Sequence, residues 1–175
     1  ITLRPADGNE TRLAWKIALE SKERPVVMAL TRQNLTNLKE TENIEGIEKG
    51  AYIISDSSEA PELILIATGS EVDIALKVKE KLESDGKNIR VVSMPSMELF
   101  REQDDAYKEE VLPKEAKKVS IEMGSTFGWA EWTGTDGLNI GIDRFGMSGK
   151  GDQVTEEFGF TPEKVTEKIN QKFFK

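Results

Sequence analysis

Hydrophobic residues in the first thirty positions follow a helical pattern and then an extended one. Leu13 and Ile17 recur at helical spacing within residues 9–21, and Asp7 or Asn9 can cap the start of that helix. Two apolar runs flank it and predict strands: Ile1–Leu3 and Pro25–Leu30. The second run is continuous and rich in branched residues, which is typical of a strand covered on both faces. The segment is therefore predicted to form a strand, a helix and a strand.

From residue 51 onward, strand-like and helix-like segments alternate. Strands are predicted at Tyr52–Ser55, Leu63–Ala67, Arg90–Ser93, Lys118–Glu122 and Leu138–Ile142. Helices are predicted at Glu71–Ser84, at Gln103–Leu112, between Asp152 and Gly159, and from Thr161-Pro162 to the end. Because this alternation is typical of βαβ units, it predicts an α/β fold with a mainly parallel sheet, a three-layer sandwich preceded by the short strand-helix-strand remnant of another α/β domain.

The charge distribution supports a division of the chain. Residues 1–37 contain six Lys or Arg against four Asp or Glu, whereas residues 38–175 contain 18 against 28. Between the two parts, the hydrophobic pattern dissolves into polar residues. We therefore predict the tail of one domain at 1–37, a linker at 38–50 and a complete domain at 51–175.

Composition excludes several classes of function. The net charge of −8 opposes binding to nucleic acids or anionic membranes, and no apolar run reaches the length of about 20 residues that a membrane helix needs. The absence of cysteine fits a reducing cytoplasm, and the absence of histidine removes the usual general base and metal ligand. Since the sequence also starts at Ile1 inside a predicted strand, we expect a fragment of a larger protein whose chemistry lies mostly elsewhere.

Most polar motifs have ordinary structural interpretations. The turn Thr68–Glu71 joins a strand to a helix and could hold an anion, but an acid in the first helical turn repels phosphate, so Ser70 is better interpreted as an N-cap. The acids of the second half match no calcium loop and are expected to be solvated or paired: Glu122, Glu131, Asp136 and Asp143. Two runs rich in glycine and aromatic residues, Gly124–Trp129 and Gly141–Gly146, fit core packing or a subunit contact equally well.

Arg32 is the strongest candidate for a functional side chain. It follows the predicted strand Pro25–Leu30, and ligands of open α/β sheets bind at the carboxyl ends of the strands. A guanidinium group can grip a phosphate or a carboxylate with two hydrogen bonds. On chemistry alone, a structural ion pair is the more common role of an arginine.

Several motifs, taken in order, resemble the transketolase family. Its pyrimidine-binding domain ends in runs like Arg4–Asp7 and Leu30–Leu35, and its C-terminal domain contains runs like these: Ala67–Val72, Arg90–Ser96, Val119–Glu122, Gly124–Trp129, Gly141–Gly146 and Glu157–Thr161. The resemblance spans almost the whole chain. Dihydroxyacetone synthase, a related enzyme, shares much of the pattern.

The resemblance implies an enzyme of the pentose phosphate pathway that moves a two-carbon ketol unit between sugar phosphates. It implies thiamine diphosphate and Mg²⁺ (or Ca²⁺) as cofactors, bound by domains that precede this sequence, and a cytoplasmic homodimer. Arg32 matches the family's arginine that helps to bind the sugar phosphate, and no catalytic, cofactor-binding or metal-binding residue of the family maps onto this stretch. The fragment alone is expected to be inactive. The alternative is a non-catalytic assembly or dimerisation module, with a regulatory ligand site at Thr68–Glu71.

Overall fold

The strands of the protein form two separate sheets in a computed structural model that describes residues 1–174. The smaller sheet pairs β1 (Thr2–Leu3) with β2 (Val27–Met28) in parallel. Helix α1 (Gly8–Glu20) connects them and begins where predicted, because the carboxylate of Asp7 accepts a 3.0 Å hydrogen bond from the amide of Glu10. The predicted strand-helix-strand unit is confirmed.

Strand β2 is shorter and more open than its sequence predicts. Val27 and Leu30 are 61% and 53% exposed, so other parts of the described chain do not cover both faces of this run. Among the described residues, β1 is the one strand that pairs with β2. The prediction of a strand covered on both faces is therefore wrong for the chain as described.

Residues 38–50 pack against the rest of the molecule. They form two 3₁₀ turns, Lys39–Thr41 and Ile47–Lys49, in which Thr41 and Ile47 are buried. Gly50 has a φ of +84°, and an added Cβ there would collide with the backbone of Phe100. This close approach explains why glycine stands at the entry to the larger sheet, while the division into domains remains a prediction.

Five strands form the larger sheet, in the spatial order β3-β5-β4-β6-β7. Their bounds are β3 (Tyr52–Ser55), β4 (Leu63–Ala67), β5 (Ile89–Ser93), β6 (Lys117–Ile121) and β7 (Leu138–Ile140). The edge strand β3 is antiparallel to β5, and the other neighbours are parallel. The mainly parallel sheet is thus confirmed.

Helices cover both faces of this sheet. They are α2 (Glu71–Ser84), α3 (Met97–Arg101), α4 (Asp105–Val111), α5 (Ala130–Thr133), α6 (Gly151–Glu157) and α7 (Pro162–Phe173). Successive residues of β4 point to opposite faces, so Leu65 packs in one core with α2 and α7, and Ile66 packs in another with α3 and α4. This arrangement confirms the three-layer sandwich.

The last helix is built as its sequence predicts. The hydroxyl of Thr161 accepts a hydrogen bond of 3.3 Å from the amide of Lys164, and proline occupies the first turn. Val165 and Ile169 are fully buried against the sheet. None of the helices in residues 1–174 combines the length and apolar character that a membrane crossing requires.

Some helix boundaries differ from the predictions. The short helices α3 and α5 were not predicted, and α4 is shorter than Gln103–Leu112 because Asp104 caps its start. Helix α6 starts one residue before Asp152, which therefore lies in the first turn and does not cap it. Such short helices have little periodicity of their own, so their positions depend on packing against the sheet.

Candidate functional site

The carboxyl edge of the parallel strands contains the crevice where an α/β sheet of this type binds ligands. From β4 the chain moves to β5 on one side and then crosses back to β6 on the other, so the switch point lies between the ends of β4 and β6. Arg4 lies across it. The amide of Gly69 donates a 3.0 Å hydrogen bond to the carbonyl of Arg4, whose own amide donates to the carbonyl of Pro95 at 2.9 Å. The N-terminal segment thus closes this part of the crevice.

The side chain of Arg4 is held at the same edge by Glu122. The guanidinium group forms an ion pair with Oε1 of Glu122, and the indole N–H of Trp129 donates a 2.6 Å hydrogen bond to Oε2. Trp129 is 1% exposed, so it belongs to the core. Both oxygens of Glu122 therefore have structural partners, as expected for a paired carboxylate.

Glu71 fills the start of helix α2. Its carboxylate accepts a 3.0 Å hydrogen bond from the amide of Met123, and the hydroxyl of Ser70 donates to its other oxygen. Burial raises the pKa of Glu71, and these hydrogen bonds oppose that effect. Ser70 has helical dihedral angles and makes no capping hydrogen bond, so its interpretation as an N-cap is wrong in that respect. Together with the engaged amide of Gly69, Glu71 leaves this turn poorly suited to an anion.

Two of the other acids in the second half, Glu131 and Asp143, also have partners. Glu131 forms an ion pair with Arg101, and Asp143 accepts hydrogen bonds from Ser125 and Thr126. These hydrogen bonds, chiefly those from Thr126, lower the pKa of Asp143. Within residues 1–174, no group of three or more carboxylates is arranged to hold a metal ion.

Arg32 lies in an exposed loop at residues 30–37, which we name the Arg32 loop. The loop begins where Ala29 donates the last hydrogen bond to β1, at 2.9 Å from the carbonyl of Leu3. Arg32 itself is exposed and forms no ion pair within the part of the chain that the structure describes. Its guanidinium group is thus available to a ligand.

Both ends of the Arg32 loop are fixed by hydrogen bonds. The hydroxyl of Thr31 accepts a 3.1 Å hydrogen bond from the amide of Gln33. At the far end, the side-chain oxygen of Asn37 accepts from the amide of Gly8 at 3.0 Å, and the amide of Leu38 donates to Asp7 at 2.8 Å. The far end of the loop is therefore held against the start of helix α1, while the hydrogen bond between Thr31 and Gln33 shapes the turn at Arg32.

A buried network that the sequence analysis missed links α1 to the large sheet. Glu10 is fully buried, and its Oε1 accepts hydrogen bonds of 2.6 Å from the hydroxyls of Tyr52 and Ser93. Its Oε2 accepts a 2.7 Å hydrogen bond from the amide of Ala6. Burial raises the pKa of Glu10 above its ordinary value, although the hydrogen bonds act against this. An acid on a helix of mixed polarity gives no signal in the sequence that it will be buried.

These features define a doubly wound α/β domain whose switch point is crossed by the segment that follows β1. The sequence matches the family model described as "Transketolase-like TK C-terminal domain" over residues 50–161. This match covers more than half of the chain, and the chain belongs to the transketolase family.

Individual relatives agree with the family model. The chain is 48% identical over 171 residues to a transketolase of Bacillus subtilis, and 54% identical over 168 residues to a chloroplastic transketolase of Craterostigma plantagineum. These alignments cover 95% and 94% of this chain, but only 26% and 32% of the relatives. The chain therefore spans about a quarter to a third of the length of these relatives.

Solved structures show the same fold. A transketolase of Pichia stipitis in complex with sedoheptulose 7-phosphate superimposes with a TM-score of 0.90 at 41% identity, covering 98% of this chain and 25% of that one. A transketolase of Campylobacter jejuni gives a TM-score of 0.88 at 38% identity, covering 98% of this chain and 26% of that one. The small sheet and the large domain are both included in these alignments.

Proposed function

We propose that the full-length protein transfers a two-carbon ketol unit from a ketose phosphate to an aldose phosphate, as part of the pentose phosphate pathway. The observation that carries the proposal is the identity of 48% to a curated transketolase across 95% of the chain. The solved relative with sedoheptulose 7-phosphate supports a sugar phosphate as the substrate.

Within this chain, Arg32 is proposed to bind the phosphate group of the substrate. Its exposure, its lack of an ion pair within residues 1–174 and the fixed ends of its loop support that role. An arginine can give a phosphate two parallel hydrogen bonds, and a loop that is held in advance lowers the entropy lost on binding.

Thiamine diphosphate and a divalent ion, Mg²⁺ or Ca²⁺, are the proposed cofactors of the full-length protein. The residues described here do not fit either group, since they offer no suitable carboxylate cluster and the amide of Gly69 is engaged by Arg4. We therefore place both cofactor sites in parts of the full-length protein outside this chain, and we assign no catalytic, cofactor-binding or metal-binding residue here.

The proposal extends to domains and assembly. Residues 1–37 would be the end of a pyrimidine-binding domain, 38–50 a linker and 51–175 the C-terminal domain of a cytoplasmic homodimer. Phe127 and Phe145 are 93% and 97% exposed and lie on two loops. Asp143 joins these loops by accepting a hydrogen bond from the hydroxyl of Thr126. Two exposed aromatic rings on linked loops support a subunit contact. The acidic charge of the chain argues against nucleic acids and anionic membranes as partners.

An assay of ketol transfer tests the proposed activity. Full-length protein, depleted of cofactors and then supplied with thiamine diphosphate and Mg²⁺, is expected to convert xylulose 5-phosphate and an aldose phosphate into products. Activity should vanish when either cofactor is omitted. A fully loaded protein that transfers no two-carbon unit would overturn the proposal.

A further inference from the structure

We propose that Asp7 is a positioning residue for the Arg32 loop. Its carboxylate holds the far end of this loop and so keeps the guanidinium group of Arg32 in place for a phosphate. The inference deepens the proposed function and rests on the phosphate-binding role of Arg32. It gives Asp7 a role in addition to the capping of helix α1.

The two oxygens of the Asp7 carboxylate serve different segments of the chain. Oδ1 accepts a 3.0 Å hydrogen bond from the amide of Glu10, which caps helix α1. Oδ2 accepts a 2.8 Å hydrogen bond from the amide of Leu38 and another from the hydroxyl of Thr41. Asp7 is 3% exposed and Thr41 is fully buried. These hydrogen bonds therefore lie in the interior, where they are electrostatically stronger than in water.

Capping alone does not require an aspartate at position 7. One side-chain oxygen is enough to cap a helix, and serine caps about as well as aspartate. The second oxygen has a separate task, because both of its donors belong to the segment that follows the Arg32 loop. Two neutral hydrogen bonds of 3.0 Å add to this attachment, one from the amide of Gly8 to Asn37 and one from the side chain of Asn9 to Thr41.

The Arg32 loop is thus closed at both ends on one short segment, residues 3–8. At the near end, the amide of Ala29 donates a 2.9 Å hydrogen bond to the carbonyl of Leu3. At the far end, Asp7 is the one charged group that accepts hydrogen bonds from the returning chain among the described residues. Residues 31–37 between these ends are exposed, so packing does not fix them. The position of the guanidinium group therefore depends on where the two ends are held.

Release of the far end would double the length of chain that is free to move. After Thr41 the next buried residue is Gly46, so the free stretch would grow from residues 30–37 to residues 30–45. Doubling a flexible loop lowers the population of any one closed geometry by about threefold. This factor sets the scale of the loss in affinity that a phosphate-binding group on the loop would show.

The test uses the full-length protein with both cofactors and compares Asp7→Ser with Asp104→Ser. Asp104 is exposed and caps helix α4 by accepting a 2.8 Å hydrogen bond from the amide of Tyr107. Asp104→Ser therefore makes the same change at a helix cap that is not part of the attachments of the Arg32 loop. The values of kcat and KM are measured for ribose 5-phosphate and for ribose as acceptors, with the donor saturating in each case. Thermal melting of each variant is recorded alongside.

Asp7→Ser is expected to retain the cap of α1 and to raise KM for ribose 5-phosphate by about twofold to threefold. We expect kcat with ribose 5-phosphate, and KM for ribose, to match the values of Asp104→Ser. If KM for ribose 5-phosphate matches as well, the inference is overturned. An equal rise for both acceptors would overturn it too, because a loss that does not depend on the phosphate group is a general structural defect.

A second variant keeps the test decisive if Asp7→Ser folds poorly. Thr41→Val has nearly the same shape as the wild type, removes one of the hydrogen bonds that Oδ2 of Asp7 accepts, and leaves the cap of α1 intact. It should also raise KM for ribose 5-phosphate and leave KM for ribose unchanged. A folded Thr41→Val protein with the wild-type KM for ribose 5-phosphate would count against the inference in the same way.

Arg32→Ala separates the two levels of the account. Because Asp7 acts through Arg32, Asp7→Ser should cause no further loss with ribose 5-phosphate in the Arg32→Ala background, whereas two multiplying losses would contradict the inference. If Arg32→Ala impairs ribose 5-phosphate selectively while Asp7→Ser and Thr41→Val do not, the positioning role fails and the proposed function stands. If Arg32→Ala shows no selectivity, the phosphate-binding role fails, and the role of Asp7 fails with it.

Discussion

The hydroxyl of Tyr52 donates a 2.6 Å hydrogen bond to Glu10 in the interior of the protein, and it joins helix α1 to the edge strand of the large sheet. Ser93 reaches the same carboxylate oxygen from the neighbouring strand β5. Because all three side chains are buried, each depends on the others for its hydrogen bonds. The network thus ties the strand-helix-strand unit to the large domain.

Removing this carboxylate should weaken the folded state. Glu10→Ala would leave the hydroxyls of Tyr52 and Ser93 without their acceptor, at about 1–3 kcal/mol for each buried group. We expect the free energy of unfolding to fall by about 2–6 kcal/mol, the sum for the two hydroxyls. Urea denaturation measures it, with Glu20→Ala, an exposed site on the same helix, as the control. Equal midpoints for the two variants would contradict the structural role of Glu10.

The pKa of Glu10 also predicts how stability changes with pH. Burial raises this pKa above its ordinary value of 4.5, so the folded protein holds the proton more tightly than the unfolded chain does. The contribution of Glu10 to the free energy of unfolding is therefore fully present below pH 4.5, and it is lost as the pH rises through the raised pKa. Glu10→Gln cannot titrate. The free energy of unfolding of wild type minus that of Glu10→Gln should fall as the pH rises above 4.5, and a constant or rising difference would refute this.

Helix α7 should be needed for the stability of the large domain. Ile169 is fully buried between α7 and the sheet, and Ile→Ala changes at such sites cost about 2–5 kcal/mol. Ile169→Ala should lower the thermal midpoint clearly, while Glu167→Ala on the exposed face should change the free energy by no more than about 0.5 kcal/mol. Deletion from Pro162 onward should be more severe than either. A truncated protein with an unchanged melting temperature would contradict the packing described for α7.

The 175-residue chain is expected to fold without binding the proposed cofactors. Its described residues contain no metal-binding cluster, and the start of helix α2 is filled by Glu71. Isothermal titration with thiamine diphosphate and Mg²⁺ should give no heat of binding, whereas full-length protein titrated in parallel should bind both. Saturable micromolar binding to the isolated chain would show that the cofactor sites have been misplaced.

The sequence predicts well those elements whose signal is local. Residues 63–67 are all apolar, so the burial of both faces of this strand follows from its composition. The pair Thr161-Pro162 marks the start of a helix by its capping chemistry alone. The position of Arg32 after a strand is equally local. The family resemblance adds the proposed role of Arg32, which the fold by itself does not supply.

Features that depend on distant partners could not be predicted in this way. Glu10 and Glu122 have the sequence signal of ordinary surface acids, but both are buried and both have a partner far along the chain. Ser93 donates a hydrogen bond to Glu10, and Arg4 forms an ion pair with Glu122. The apolar run of β2 predicts a strand covered on both faces, but an apolar run does not reveal which elements pack on those faces.

Substitution of Arg32 in the full-length protein tests the central claim most directly. A hydrogen bond to a charged group contributes about 1.5–3 kcal/mol, so Arg32→Ala should lower kcat/KM for a phosphorylated aldose acceptor by about one to two decades. The unphosphorylated analogue should be almost unaffected. Arg32→Lys should recover only part of the loss, because an ammonium group lacks the bidentate geometry of a guanidinium. If both acceptors lose the same factor in Arg32→Ala, Arg32 supports the structure of the loop and does not bind the phosphate.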